Sequence, residues 1–200
     1  MARMQTIYVD MDDVLCETAQ HFLVVLDREF GKRFSFDQLT NFDVGASCRL
    51  NPHEREQLYR IVHRADELLS IEPMAEAIDV LRRWREAGYE ISIVTGRPPD
   101  TYEPSVEWLT RHRVPYQNFM IVDKYGRFTP ETTIGITLSD LASHQFCWAV
   151  EDSPGMAKYL ADQMGIPVAL LDRPWNRTNI SHALIGRYNH WHEIAGALPK

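Results

Sequence analysis

The chain is poor in cysteine, in lysine and in long apolar runs, and each scarcity removes a class of protein. Cys16, Cys48 and Cys147 are its three cysteines, far apart and with no Cys-x-x-Cys pair. Neither a disulfide framework nor a zinc knuckle is readable, and buried thiols in a reducing compartment are expected. No apolar stretch is longer than that from Phe22 to Leu26, far short of the ~20 residues a membrane span needs. No charged-then-apolar leader precedes the first apolar run, so a soluble cytoplasmic protein without a membrane partner is the expectation. Only four of the 21 basic residues are lysine, and 28 acidic residues bring the net charge to −7. That balance argues against a global positive field, so no stable nucleic-acid complex is expected, although a local basic pocket is compatible with it. The sequence holds no Gly-x-Ser-x-Gly, Walker lysine loop, His-Glu-x-x-His or dinucleotide glycine fingerprint.

What is present is a globular profile: 200 residues, 44% hydrophobic and 24% charged, enough for one domain or one domain carrying a small insert. Five short Ile- and Val-rich runs, Thr6–Val9, Glu90–Val94, Phe119–Val122, Phe146–Val150 and Pro167–Leu171, are apolar nearly throughout. Such runs suit strands buried on both faces of a parallel sheet. Between them lie helical patterns. Met74–Ala87 is stopped by Gly88, Tyr102–His112 follows, and a third helix is capped by Ser153, opened by Pro154 and closed by Gly165. Strand and helix in alternation predict an α/β sheet with crossovers.

Residues 16–72 break the alternation. Ala19, Phe22, Leu23, Leu26 and Phe30 form one apolar stripe ended by Gly31. Asn51-Pro52-His53-Glu54 reads as a capping box that opens a second stripe through Leu58, Ile61, Val62, Ala65, Leu68 and Leu69. A helical insert after the first strand is expected, leaving 1–15 and 73–200 as the core. His190-Trp191-His192 is placed on a C-terminal helix as a surface pair.

Ligands of parallel α/β sheets gather at the carboxyl ends of the strands. There the predicted strands deliver Asp10-Met11-Asp12-Asp13, Thr95-Gly96-Arg97, Asp123-Lys124, Glu151-Asp152-Ser153 and Asp172-Arg173. Carboxylates so crowded raise one another's pKa, and a hard divalent cation such as Mg2+ resolves that crowding. Phosphoryl transfer uses such a metal together with an in-line nucleophile, and a carboxylate can be that nucleophile. A second carboxyl would serve as acid and then base, while a hydroxyl and a cation would hold the phosphoryl group. Lys124 is the one lysine between Thr95 and Glu151; Arg97, Arg113 or Arg127 are the other cations available for that task.

Four ordered pieces, Tyr8-Val9-Asp10-Met11-Asp12-Asp13-Val14-Leu15, Ile93-Val94-Thr95-Gly96-Arg97, Lys124 and Val150-Glu151-Asp152-Ser153-Pro154, resemble the motifs of the haloacid dehalogenase (HAD) superfamily of phosphohydrolases. The resemblance implies a three-layer Rossmann-like α/β core with a small helical cap inserted after the first strand. It makes Asp10 the nucleophile and Asp12 the acid/base. Thr95, Gly96, Arg97 and Lys124 would bind the phosphoryl group. Asp10, the backbone carbonyl of Asp12 and Asp152 would hold Mg2+, with Glu151 nearby or ligating through water. The family usually has Gly where this chain has Asp13, which predicts either a strained turn or a solvent-facing carboxylate.

The Asp-Met-Asp opening, the Asp-Lys third motif and the stretch Leu170 to Arg177 look most like the 5′(3′)-deoxyribonucleotidase branch. That resemblance implies a nucleoside monophosphate as substrate and cap aromatics stacking on its base. Phe42 is the first candidate, followed by Phe34, Phe36 and Tyr59, although such rings more often belong to the cap's own core. Three competitors remain. One is a phosphatase or phosphomutase acting on a sugar phosphate or other small metabolite. A polynucleotide-end phosphatase is opposed by the acidic charge. The last is a non-catalytic phosphate-binding module. Either a monomer or a homodimer is compatible with the sequence.

Overall fold

The computed structural model describes residues 5–129, 134–177 and 180–198. Its strands are β1 (Thr6–Asp10), β2 (Glu90–Thr95), β3 (Asn118–Ile121), β4 (Trp148–Glu151), β5 (Val168–Leu171) and β6 (Ile185–Tyr188). They form one parallel sheet in the order β3-β2-β1-β4-β5-β6. The helices are α1 (Thr18–Phe30), α2 (Val44–Ser47), α3 (Pro52–Val62), α4 (Ala65–Leu69), α5 (Ala77–Glu86), α6 (Tyr102–Arg111), α7 (Leu138–Leu141), α8 (Pro154–Met164) and α9 (Trp191–Ala197).

The five expected strands are present: β1, β2, β4 and β5 are buried nearly throughout, and β3, at one edge of the sheet, is half-buried. Ile7, Val9, Ile91, Ile93 and Val150 pack with Val80, Leu81 and Trp84 of α5, Trp108 of α6, and Trp191 and Ile194 of α9. Tyr8, Val94, Ala149, Val168 and Leu170 pack on the opposite face with Met156, Ala157, Leu160 and Ala161 of α8. The result is the predicted three-layer α/β arrangement. Direction reverses at β1, which has β2 on one side and β4 on the other. The carboxyl ends of β1 and β4 therefore form the switch point where such sheets bind ligands. The strand not predicted is β6. It is an edge strand, half-buried and interrupted by Gly186 and the exposed Arg187, so it carries neither an unbroken apolar run nor a clear alternation.

Between β1 and α5 the chain runs through helices. Gly31 ends α1 in the left-handed conformation at φ 64°, where glycine carries no Cβ penalty. Asn51 and Glu54 cap α3 reciprocally, at 2.9 and 3.0 Å, as the Asn-Pro-His-Glu signature predicts. Phe22, Leu23, Leu26, Leu39, Leu58 and Val62 bury one another in a cluster separate from the two sheet faces. The stripe predicted to run from Leu58 to Leu69 is broken at His63 and Arg64, and α4 packs with α6 on the sheet side, Leu68 and Ile71 joining the core. Glu67 of α4 still pairs with His21 and Arg28 of α1, so α4 touches both the core and the helical segment before it.

The segment leaves and re-enters the core through two paired chains. Glu17 N–H donates to the Glu72 carbonyl at 2.9 Å, and Met74 N–H donates to the Leu15 carbonyl at 2.7 Å. Two indole N–H groups fix this neck: Trp108 donates to the Ile71 carbonyl and Trp191 to the Val14 carbonyl, both at 2.8 Å.

Candidate active site

The carboxyl ends of β1 and β4 bring Asp10, Glu151 and Asp152 together. One carboxylate oxygen from each lies within 4.8 Å of the others, and all three residues are buried. Lys124, delivered by the turn after β3, donates to Asp10 Oδ1 at 2.7 Å and to Glu151 Oε1 at 2.8 Å. Glu151 is fully committed to holding this arrangement. Its Oε1 also accepts the Tyr8 hydroxyl at 2.9 Å, and its Oε2 accepts the backbone N–H groups of Asp152 and Ser153 at 3.0 and 2.9 Å. Asp152 Oδ2 accepts the Trp175 indole N–H at 2.9 Å, and the Asp152 carbonyl accepts the Asn176 amide at 2.8 Å.

Burial, with Glu151 adding its charge, pushes the Asp10 and Asp152 carboxyls well above the usual carboxylate range. Burial works against the Lys124 ammonium, but Asp10 and Glu151 outweigh it and raise its pKa. Hard oxygen donors with a deficit of positive charge are the chemistry a divalent cation answers. The donor set fits such an ion, with Asp10 and Asp152 the oxygens left with spare lone pairs and Glu151 acting behind them.

Asp12 stands apart from that cluster. Arg97 grips it through Nε, at 3.0 and 3.1 Å to its two oxygens, and through Nη2 at 2.7 Å. Thr18 donates to it at 2.6 Å and Thr95 at 3.3 Å. Burial alone would raise its pKa, but the Arg97 guanidinium and the Thr18 hydroxyl outweigh burial and hold the carboxyl below its ordinary value. Arg97 spends its remaining nitrogen on Ser105 at 3.0 Å. As it stands it positions Asp12 rather than offering a free fork to a phosphate. Thr95 is fully buried and also receives the Arg97 backbone N–H at 3.2 Å. Gly96 is required by space: a Cβ there would lie 2.8 Å from the Tyr125 ring and 3.2 Å from Lys124 Cδ.

Asp13 realises one of its two expectations. It sits at φ 56°, the left-handed region that Asp tolerates better than most residues. It does not face solvent: it is only 9% exposed. Its carboxylate accepts the Ala19 N–H at 3.0 Å in the first turn of α1, and its carbonyl accepts Arg173 Nε and Nη2 at 3.0 and 2.7 Å. Glu17, at the N-cap position of α1, makes no side-chain cap, so Asp13 supplies the bond that a cap residue would. Burial pushes its pKa up to about 7.

Above these groups lies a cavity of about 350 Å³, lined on the core side by Asp10, Asp12, Asp13, Arg97 and Asp152. Its walls are largely aromatic. Phe42 and Tyr59 line it, but Phe34 does not; it packs inside the helical segment's own cluster. Phe36 stacks edge-on against Trp175, with ring centroids 5.5 Å apart. Phe22, Tyr125, Phe128 and Trp175 complete the walls. Pattern alone could not assign these four to a ligand, although Tyr125 adjoins Lys124 and Trp175 belongs to the singled-out Leu170–Arg177 stretch. Phe42 and Tyr125 meet across the opening at 5.6 Å. At the far end the Tyr59 hydroxyl donates to Asp43 at 3.3 Å, and Arg55 pairs with the same carboxylate. Asp123 and Asp172 stay out of the site. Asp123 closes its own turn on the N–H groups of Arg127 and Phe128, and Asp172 pairs with Arg177 and Arg187.

Residues 3–145 match the family model for "5′ nucleotidase, deoxy (Pyrimidine), cytosolic type C protein". The chain is 24% identical over 187 residues to the "Putative nucleotidase" of Halalkalibacterium halodurans, covering 92% of this chain and 88% of that one. Among solved structures it is similar to a HAD-superfamily hydrolase of subfamily IA from Geobacter sulfurreducens, with TM-score 0.60, 16% identity and coverage of 98% and 97% of the two chains. It is similar also to the HAD-hydrolase YfnB of Bacillus subtilis, whose structure is bound to magnesium, with TM-score 0.56, 11% identity and coverage of 97% and 98%. No helix among the described residues is long and apolar enough to cross a membrane. The fold, the four motifs and the extent of the family match agree, and the chain belongs to the cytosolic-type 5′-nucleotidase family, phosphohydrolases of the HAD superfamily.

Proposed function

We propose that the protein hydrolyses nucleoside monophosphates through a phosphorylated Asp10, with Mg2+ as cofactor. The observation that carries this reading is the placement of the Asp10 carboxylate, held by Lys124 at 2.7 Å, on the core side of a cavity whose walls are aromatic. An Asp10 oxygen attacks phosphorus in line with the leaving oxygen, and the bond from phosphorus to that oxygen breaks. Asp12, which takes up a proton from solvent as the phosphate dianion binds, gives that proton to the leaving oxygen. It then takes one from the water that attacks the aspartyl-phosphate, releasing inorganic phosphate and restoring Asp10. Arg97 keeps Asp12 ionised at rest, the form a base needs; an incoming phosphate dianion beside it pushes the pKa back up and favours the acid form.

Lys124 neutralises charge on Asp10 and on the phosphoryl oxygens, and Thr95 and the Gly96 turn border the same space. Asp10 and Asp152 would hold the magnesium ion, which supplies charge neutralisation at the phosphoryl group. The helical segment acts as a cap, and Phe42 and Tyr59, with Tyr125 of the core, offer ring faces to a base. Aromatic walls favour a nucleotide over a sugar phosphate, which needs more hydrogen-bonding groups than Asp43 and Tyr59 provide. The test is inorganic phosphate release with Mg2+ and with chelator, from deoxy- and ribonucleoside 5′- and 3′-monophosphates, sugar phosphates and a phosphorylated oligonucleotide. Magnesium-dependent release strongest on mononucleotides is expected. Release strongest on sugar phosphates would overturn the substrate, and release indifferent to chelator would overturn the metal.

A further inference from the structure

Three basic side chains beside the cavity are paired with carboxylates, and among the described residues a fourth is not. Lys124 is spent on Asp10 and Glu151, Arg97 on Asp12, and Arg55 on Asp43. Arg127 lines the same cavity and is exposed, and among the described residues no carboxylate pairs with its guanidinium. The group is nonetheless held in place. The Asp123 carboxylate accepts the Arg127 and Phe128 N–H groups at 2.7 and 3.2 Å, which fixes the turn. The guanidinium lies over the Tyr125 ring, 4.9 Å from its centroid. Tyr59 and His63 of the helical segment line the same cavity. A planar fork stacked on an aromatic ring at the cavity, with no carboxylate partner among the described residues, matches an oxyanion in a bidentate manner.

We infer that Arg127 is a specificity-determining residue that binds a second anionic group of the substrate, one separate from the phosphoryl group that reacts at Asp10. The substrate class is then a phosphomonoester carrying another phosphate or a carboxylate, with a nucleoside bisphosphate the member that also uses the aromatic walls. This deepens the hydrolase reading and rests on it. A hydrogen-bonded base carbonyl would gain less from this residue, because an exposed guanidinium interacts weakly with a neutral acceptor that water serves equally well.

The test compares kcat/KM within two pairs of phosphomonoesters that differ by the second anion. Thymidine 5′-monophosphate is set against thymidine 3′,5′-bisphosphate, and glycerol 3-phosphate against 3-phosphoglycerate. The first pair reports a second phosphate and the second a carboxylate. The wild-type protein is expected to favour the doubly anionic member of at least one pair by about tenfold, mainly through KM. Added salt should shrink that preference, since the cation is exposed. In Arg127→Gln the ratio should fall to near one, and Arg127→Lys should restore only part of it, because a point charge lacks the fork. A wild-type ratio within about twofold of one in both pairs, or a preference that survives Arg127→Gln, overturns the inference while leaving the hydrolase intact. Phosphate release from none of the four compounds overturns the hydrolase reading together with it.

Discussion

The two sides of the cavity are built on opposite principles. On the core side Asp10, Lys124, Glu151 and Asp152 are 6%, 7%, 0% and 2% exposed. No buried side-chain nitrogen or oxygen among the described residues lacks a partner. At the opening, where the helical segment meets the core, Phe42 and Tyr125 are 39% and 38% exposed and touch each other only ring to ring. A reacting phosphoryl group needs charges already in place, because reorganising them during the reaction adds to the barrier. A binding wall needs apolar area that tolerates changes of ligand. The rigid side is therefore where substitutions should cost turnover, and the aromatic side where they should change selection.

The largest break in that contrast comes from Asp10→Asn. The amide keeps the shape but removes the nucleophilic charge, so phosphate release should fall by about 10⁴-fold or more. Circular dichroism and the melting profile should stay close to wild type, since Glu151 still holds Lys124. Turnover near the wild-type rate would remove Asp10 from the mechanism.

Arg97→Gln probes whether the core side depends on orientation as well as on composition. Every atom of the general acid/base remains, but Asp12 loses three of the contacts that aim it. A fall in kcat of about 10²-fold is expected, within the range that positioned proton transfer contributes, with KM moved much less. Arg97→Lys should rescue little, because one ammonium cannot reproduce the forked grip. A change confined to KM would instead make Arg97 a direct phosphate ligand, the role its motif implies.

The same division explains how much could be read from the sequence. Strands β1, β2, β4 and β5 are visible as apolar runs because both faces are covered, and even the half-buried edge strand β3 keeps an apolar Phe-Met-Ile run. A parallel sheet places Asp10, Thr95, Lys124 and Asp152 among the candidates, together with Asp123 and Asp172, which stay out of the site; the resemblance to the HAD motifs singles out the first four. The strand β6 escaped because an edge strand with Gly186 and Arg187 obeys neither pattern. The aromatic wall escaped for a different reason: Phe22 sits in an ordinary helical stripe, and only the packing of α1 over the site turns its ring toward the cavity. Phe34 shows the converse, an aromatic in a suggestive place whose ring the helical cluster claims. Asp13 was visible as a departure from the family pattern, but its partner Ala19 was not, since that bond depends on where α1 begins relative to the turn.

A smaller effect, on the other side of the comparison, is expected from Phe42→Ala. Stacking contributes about 1–3 kcal/mol per base, and a ring 39% exposed belongs at the low end. The ratio of kcat/KM for a mononucleotide over that for a sugar phosphate should drop about fivefold. If both substrates weaken equally, Phe42 shapes the opening and does not read the base.

The smallest effect expected on turnover is from Asn51→Ala, which asks whether the two sides are coupled at all. Asn51 caps α3 by accepting the Glu54 N–H at 2.9 Å, and Glu54 returns the bond at 3.0 Å while also pairing with Lys32 at 2.7 Å. Loss of the cap should lower stability by about 1 kcal/mol, a shift of roughly 2–4 °C in Tm for a chain of this length. Asn51 lies at the opposite end of α3 from His63, and Tyr59 stands between them on the same helix. If the helical segment only selects ligands, the loosened first turn leaves kcat unchanged and raises KM slightly for substrates that contact Tyr59. If kcat falls as well, the helical side helps to set the reacting geometry, and the division between a rigid chemical face and a permissive binding face would have to be abandoned. The neck argues for the first outcome: the bonds from Trp108 to Ile71 and from Trp191 to Val14 anchor the crossing chains to the core independently of α3.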